Sequence, residues 1–347
     1  FKAVFDTNFT ADLTIMEESY ELLARLAAGA LDQGRASREQ LASLPLPEHL
    51  PAPVLPMITS CSPGWIKYME HRYSSLLPHL SSCKSPHMML GALVKSWYAA
   101  QAGIDPAHLY MVSVMPCTAK KYEVVRPELE NNGNRNVDAV LTTRELARMI
   151  REAGIDFLNL PDEPFDSPMG VSTGAADIFG VTGGVMEAAL RTAHEVVTGR
   201  PLPFEQLHVR PIVGLKQIKT ASLTLQSVRP EWFFLEGTEL KIAVTSGLAG
   251  ASVLMEELAA GRSEYVFIEV MGCPGGCISG GGQPRPVNDE IRRLRLAAVY
   301  REDEGKPIRK SHENPDILRL YRDFLEKPGS RTAHELLHTR YTGRSRI

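Results

Sequence analysis

Three apolar runs of this chain, each rich in strand-forming residues, end at a cysteine beside proline or glycine. They are Met57-Ile-Thr-Ser-Cys61, Val112-Ser-Val-Met-Pro-Cys117 and Phe267-Ile-Glu-Val-Met-Gly-Cys273. Short runs of this kind are typical of buried strands. Because ligands bind beyond the carboxyl ends of strands in parallel α/β sheets, we expect these cysteines to converge on one crevice.

The rest of the chain alternates helical and strand patterns. Helices are predicted at 12–31, 64–73, 86–102, 185–197 and 248–260, and after the capping signal Thr142-Thr-Arg-Glu. Strands are predicted at the first residues, 54–59, 109–115, 138–141, 207–214, 240–246 and 264–270. This alternation predicts an α/β fold: two lobes of mainly parallel sheet, flanked by helices around a central cofactor cleft, with a helical C-terminal tail.

Charge and hydropathy exclude two classes of partner. The net charge of -3 leaves no basic surface for nucleic acid. No apolar run approaches the roughly 20 residues that span a bilayer. The first residues resemble neither a signal peptide nor a natural start, so we interpret the chain as a segment of something longer. We expect a cytoplasmic protein, with the periplasm as the alternative.

We expect the cysteines either to have a chemical role or simply to be buried. Five is an odd number, and five in 347 residues are too few for a disulfide framework. In Cys273-Pro-Gly-Gly-Cys277, two thiols four residues apart can reach one metal cluster. The glycines around them let the backbone approach a bulky inorganic group. The alternative is a flexible glycine loop with two idle thiols.

A four-iron cluster needs about four protein ligands, normally thiolates. Cys117, Cys273 and Cys277 supply three, and the loop at 61–62 is the expected source of the fourth. We interpret the remaining thiol, Cys83, as a buried structural residue.

Three motifs resemble the signature motifs of iron-iron hydrogenases. They are Thr59-Ser-Cys-Ser-Pro-Gly-Trp65, Met115-Pro-Cys-Thr-Ala-Lys-Lys121, and Glu269-Val-Met-Gly-Cys-Pro-Gly-Gly-Cys277 with Gly280-Gly-Gly-Gln-Pro284. The likeness reaches from Asp6-Thr-Asn-Phe to the tail motifs His312-Glu-Asn-Pro and His334-Glu-Leu-Leu-His-Thr. The resemblance implies a cluster-binding catalytic domain at 1–287, in two lobes, and a small-subunit-like wrapping segment at 288–347.

The resemblance also implies the cofactor and the substrates. A 4Fe–4S cubane would be joined through Cys277 to a di-iron subcluster that carries carbonyl, cyanide and a bridging dithiolate. Lys120 would donate to a cyanide, and the residues implied around the cofactor are Met115, Pro116, Phe179, Met271 and His87. His87 stands where many relatives carry glutamine. The substrates would be H2 and protons, with electrons supplied by a ferredoxin-like module or subunit that is missing from this chain.

A proton route is implied from the cluster through Cys61, Glu21, Ser81 and Glu18. Splitting H2 needs a base for the proton and a relay to solvent, in addition to a metal. Glu18 and Glu21 are three residues apart on a predicted helix and therefore share a face. The alternative is that this face is simply exposed to water.

The sequence departs from the family pattern at Ser62, because the first loop usually reads Cys-Cys-Pro. Either Cys61 becomes the fourth cubane ligand and leaves the relay to Ser62, or Ser62 is the ligand, or the site is impaired. We favour Cys61, since only it offers a thiolate there. A hydrogen sensor, or an iron–sulfur cluster-binding or assembly relative with little turnover, is the alternative function.

A second motif, His334-Glu-Leu-Leu-His338, matches the HExxH pattern of zinc proteases. Only nine residues follow it, which leaves little room for a third zinc ligand. We therefore interpret it as a surface helix of the tail.

Overall fold

The structure, a computed structural model, describes residues 2–47 and 50–345. Its strands are β1 (Met57–Thr59), β2 (Val112–Met115), β3 (Glu130–Asn131), β4 (Asn134–Arg135), β5 (Ala139–Thr142), β6 (Ile218–Thr224), β7 (Glu239–Ser246) and β8 (Phe267–Met271). Its α-helices up to the middle of the chain are α1 (Thr7–Asp32), α2 (Arg38–Ala42), α3 (Pro63–Arg72), α4 (Pro86–Leu93), α5 (Ala99–Ala102), α6 (Lys120–Glu123) and α7 (Thr143–Glu152). The later helices are α8 (Gly174–Ile178), α9 (Gly184–Thr198), α10 (Leu248–Ala259), α11 (Asp289–Gly305), α12 (Pro315–Leu320) and α13 (Arg331–Leu337).

Parallel pairing brings the cysteine-bearing strands together. One sheet has the order β1-β8-β7-β6, in which β1 and β7 run parallel to β8 and β6 is an antiparallel edge strand. A second sheet pairs β2 with β5 in parallel. Every residue of β8 is buried, as expected for a central strand covered on both faces. The predicted α/β fold with mainly parallel sheet is confirmed.

The long helix α1 lies in the interior. The Asp6 carboxylate caps it by accepting from the amide of Asn8 at 2.9 Å, so the helix begins earlier than predicted. The helix packs against both α4 and α9. As a result Glu18 and Glu21 are only 4% and 7% exposed. They do not form a face exposed to water, so that alternative is wrong.

Two predicted strands are wrong. The 207–214 run forms short 3₁₀ turns, and the strand of this region begins later, at Ile218. Pro211 lacks the backbone N–H that a strand ladder needs, and Val209 and Ile212 of the run are instead buried in the core. At the start of the chain, Phe1 lies outside the described residues and 2–6 are irregular. There the Val4 amide bonds to the Asp166 carboxylate at 2.7 Å and not to a neighbouring strand.

The predicted helical tail is confirmed, and buried polar contacts hold it to the body. Asp303 on α11 accepts two hydrogen bonds of 2.8 Å from Arg191 on α9. Ser311 and Asn314 donate to the buried carboxylate of Asp12 on α1 at 2.7 and 3.0 Å. Within the described residues, no helix is long and apolar enough to cross a bilayer.

Candidate metal centre

The cysteine loops meet at a cavity of about 720 Å³. Cys61, Cys117 and Cys277 line it, whereas Cys273 does not. Cys273 follows Gly272, whose amide donates to the Ser62 hydroxyl at 2.9 Å, so it lies beside the first loop. Burial and the charges of Cys117 and Cys61 raise the pKa of its thiol. All of these thiols are free. Cys273 therefore lies beside the cavity and is not part of its lining.

Glycines allow the loops to touch. A side chain at Gly280 would place its Cβ 2.1 Å from the carbonyl oxygen of Pro116, and the amide of Gly282 donates to that oxygen at 2.8 Å. Gly276 has a φ of +92° and packs against the backbone at Gly180, where a Cβ would be 2.8 Å from the oxygen. Gly280 thus lets the Cys277 loop lie against the Cys117 loop, and Gly276 lets it lie against the backbone at Gly180.

The first loop presents its cysteine and its serine in different directions. The Cys277 thiol lies near the Cys61 thiol and lowers its pKa. Ser62 does not line the cavity; its hydroxyl accepts from the amide of Gly272 at 2.9 Å, next to Cys273. Four thiols on three loops, approached closely through glycine, are a donor set that fits an iron–sulfur cluster.

A buried lysine faces the same cavity. Lys120 Nζ donates to the carbonyl oxygen of Cys61 and to Glu123 Oε2, both at 2.7 Å. His87 Nε2 lies 2.5 Å from the same carboxylate oxygen, and its Nδ1 lies 3.0 Å from Ser113 Oγ. Burial alone would raise the pKa of Glu123, but Lys120 and His87 lower it to about 2. The carboxylate therefore keeps the lysine charged.

Glu123 is a functional candidate that sequence reasoning missed. Its one local signal is the three-residue spacing from Lys120 on a single helical turn. The predicted cavity residues Met115, Pro116, Phe179 and His87 do line the cavity. Met271 does not; it packs in an apolar cluster with Phe179.

The two predicted carboxylates are buried and have different partners. Glu18 Oε1 accepts from the Thr59 hydroxyl at 2.5 Å, and within the described residues its other oxygen has no partner. Burial, together with the charges of Glu21 and Cys61, raises the pKa of Glu18 to about 8. Ser81 Oγ donates to Glu21 Oε2 at 2.9 Å. Glu18, not Glu21, is thus on the cysteine side, and the predicted order of the two is wrong.

Cys83 and His338 lie outside the cavity lining. Cys83 is buried, and burial raises the pKa of its thiol well above the ordinary value, in keeping with a structural thiol. His338 follows α13, and its ring nitrogens lie 2.8 Å from Ser82 Oγ and 3.0 Å from Glu17 Oε2. Both nitrogens are therefore engaged, unlike those of a zinc-protease histidine.

The chain resembles known hydrogenases along its length. It is 47% identical to the NADP-reducing hydrogenase subunit HndD of Solidesulfovibrio fructosivorans, over 100% of this chain and 54% of that protein. It is 32% identical to Protein NAR1 of Arabidopsis thaliana, over 98% of this chain and 70% of that protein. The structure of apo FeFe-hydrogenase HydA1 from Chlamydomonas reinhardtii matches with a TM-score of 0.80 at 43% identity, covering 99% of this chain and 85% of that one.

Two family descriptions cover most of the sequence. The iron only hydrogenase large subunit, C-terminal domain, matches residues 1–281, and the iron hydrogenase small subunit matches residues 289–344. The chain spans about half the length of HndD, 54%. The resemblance predicted from the three cysteine motifs is confirmed. The chain therefore belongs to the iron-only hydrogenase family, in which it joins the C-terminal domain of the large subunit to a segment that matches the small subunit.

Proposed function

We propose that this chain interconverts H2 with protons and electrons at a 4Fe–4S cubane linked to a di-iron subcluster with carbonyl, cyanide and bridging dithiolate ligands. The observation that carries the proposal is the convergence of Cys61, Cys117 and Cys277 on a cavity that also contains the charged Lys120. When bound, the cofactor supplies the metal and redox chemistry. The protein binds it, shields it from water and moves protons.

The thiols would hold the cubane. Cys117, Cys273 and Cys277 are the proposed ligands, with Cys61 favoured as the fourth and Cys277 next to the di-iron unit. Lys120 uses two of its three N–H donors on protein oxygens within the described residues. The third is available for an anionic ligand such as cyanide. The remaining residues proposed to surround the di-iron unit are Met115, Pro116, Phe179, Met271 and His87.

Protons would pass through Cys61, Glu18, Ser81 and Glu21. A carboxyl group with a pKa of about 8 holds a proton at neutral pH and can also release it. The Ser81 hydroxyl can accept a proton from one carboxyl and donate one to the other. Electrons would come from a ferredoxin-like module or subunit outside this chain.

The same fold could instead serve a hydrogen sensor or an iron–sulfur assembly protein with little turnover. Two observations favour this second candidate: serine at position 62, and the 32% identity to Protein NAR1 over 98% of this chain. Glu18 and Glu21 are both buried, and Glu21 is bonded to the Ser81 hydroxyl, which favours catalysis. For that reason we rank the hydrogenase first.

Infrared spectroscopy of the matured holoprotein, combined with hydrogen evolution from a chemical reductant, tests the proposal. A hydrogenase is expected to show bands from iron-bound carbonyl and cyanide together with sustained H2 evolution. Iron without these bands would indicate an assembly-type protein. Bands with almost no turnover would indicate a sensor.

Ser62→Cys tests the first loop. If Cys61 is the fourth cubane ligand, the added cysteine at position 62 allows one thiol to bind the cubane and the other to relay protons. We then expect hydrogen evolution to rise. If Ser62 is the ligand, the exchange of oxygen for sulfur should shift the cubane's redox potential and its electron paramagnetic resonance spectrum.

Ser62→Ala is the matched control for that experiment. It should destabilise the cubane only if the serine oxygen is a ligand. A Ser62→Cys protein with both rate and spectrum unchanged would contradict both versions, and would place this loop away from the cluster.

A further inference from the structure

Glu269 is a buried carboxylate on β8 that the proposed proton route does not use. It is 1% exposed and lies four residues before Cys273. Its Oε1 accepts from the amide of Gly183 at 2.6 Å, and its Oε2 accepts from the amide of Met186 at 2.8 Å. Both amides belong to the start of α9, where the backbone donors have no partners within the helix. The two carboxylate oxygens therefore hold one helix end.

A buried lysine holds the same stretch of backbone from the other side. Lys219 on β6 donates from Nζ to the carbonyl oxygen of Thr182 at 3.3 Å and to that of Gly214 at 2.8 Å. The Thr182 carbonyl and the Gly183 amide belong to one peptide bond, which is planar. Glu269 and Lys219 therefore fix the orientation of this peptide plane at both of its ends.

The two side chains also stabilise each other's charge. Burial raises the pKa of Glu269 to about 7, and the charge of Lys219 acts in the opposite direction. Burial lowers the pKa of Lys219 to about 8, and the charge of Glu269 opposes that shift. Between pH 7 and pH 8 both groups are therefore mostly charged. Hydrogen bonds from or to a charged group are about twice as strong as neutral ones, so the peptide is held firmly.

The turn that is held in this way, residues 179–183, lies against the Cys277 loop. Val181 and Gly276 form an antiparallel β-bridge. The amide of Thr182 donates to the carbonyl oxygen of Gly275 at 3.1 Å. Backbone contacts thus transmit the position of the turn to the loop that carries the cysteine.

The same turn reaches the cavity. Phe179 and Gly180 line it together with Cys277. A Cβ at Gly180 would lie 4.0 Å from the Cβ of Cys277, an ordinary van der Waals distance. A displacement of the turn would therefore change the space available to the Cys277 side chain.

We propose that Glu269 is a positioning residue of the metal centre, which together with Lys219 clamps the 179–183 turn and so sets the position of the Cys277 thiolate at the cubane. The proposal rests on the cubane ligation in the proposed function. Glu269 is neither a ligand nor a proton carrier in this scheme. It acts through backbone, by joining the strand that leads to Cys273 to the turn that packs on Cys277.

The test is Glu269→Gln in the matured holoprotein. Glutamine keeps the size of the side chain, but its Nε2 cannot accept from an amide, so one of the two contacts with α9 is lost. We expect the iron to be retained, while the electron paramagnetic resonance spectrum of the reduced cubane and the carbonyl and cyanide infrared bands shift. Hydrogen evolution should fall about tenfold, at the low end for residues that orient metal ligands.

Asp12→Asn is the matched control. Asp12 is another buried carboxylate that accepts from a backbone amide, that of Thr173 at 2.9 Å, but it joins α1 to the tail through Ser311. We expect the urea midpoint to fall in both variants and the spectra to shift only in Glu269→Gln. Equal spectral shifts in the two variants would reflect a general loss of stability and would overturn the clamp.

A second variant covers the case in which Glu269→Gln does not retain iron. Lys219→Met removes the donor to the Thr182 carbonyl and leaves Glu269 in place. Its spectra should shift in the same way, by a smaller amount. Wild-type spectra and rate in a folded Glu269→Gln, or in Lys219→Met where that variant decides, overturn the clamp alone.

The state of the wild-type protein separates this proposal from the proposed function. A cubane without carbonyl bands overturns the di-iron part of that function, and the paramagnetic resonance of the cubane then still tests the clamp. A matured wild-type protein without iron overturns both.

Discussion

Cys277→Ala is expected to abolish hydrogen evolution and to lower the iron content of the purified protein. Cys277 lines the cavity together with Cys61, and glycines at the contact hold its loop against the Cys117 loop. Its removal deletes a thiolate that a four-iron cluster needs. It would also remove the proposed link to the di-iron unit, so we expect the carbonyl infrared bands to disappear.

The matched control is Cys83→Ala, another cysteine-to-alanine change at a buried thiol. Cys83 does not line the cavity, so its removal should leave the iron content and the carbonyl bands intact. Iron should be measured beside hydrogen evolution in each variant, with Cys117→Ala as a second test. Normal iron and normal turnover in Cys277→Ala would remove that residue from the proposed ligand set.

The convergence of the cysteines could be predicted because it follows from a rule of sheet topology. β1 and β8 are adjacent and parallel, so Cys61 and Cys273 leave the sheet at the same edge. The position of β6 could not be predicted in the same way. The Val209–Val213 region is as apolar as a strand, and only the missing N–H of Pro211 separates it from one.

The local details of the site depended on long-range contacts. Glu123 pairs with His87 across 36 positions of the chain, a distance that no local pattern reports. Three-residue spacing placed Glu18 and Glu21 on one face but did not determine which of them faces the cysteines. That order is set by Thr59, which bonds Glu18, and by Arg25, which bonds Glu21.

Glu18→Gln is expected to cut hydrogen evolution by a large factor, on the order of the 10²–10⁴ typical of acid–base catalysis. Glutamine keeps the shape and can still accept from the Thr59 hydroxyl, but it cannot pass a proton on. Iron content and carbonyl bands should survive, because Glu18 is not a proposed ligand. Glu21→Gln should act in the same direction but less cleanly, since it leaves the buried guanidinium of Arg25 without its carboxylate.

The pH dependence provides an independent check on Glu18. Burial raises its pKa from 4.5 to about 8, so the folded protein holds a proton that the unfolded chain releases at lower pH. The stability that this proton contributes is therefore present below pH 4.5 and is lost progressively as pH rises toward 8. Glu18→Gln removes this dependence, so urea midpoints should show the variant gaining on wild type between pH 5 and pH 8. Such a gain combined with undiminished hydrogen evolution would show that Glu18 is buried and protonated but does not carry the proton flux, which would then have to reach Cys61 by a path that avoids α1.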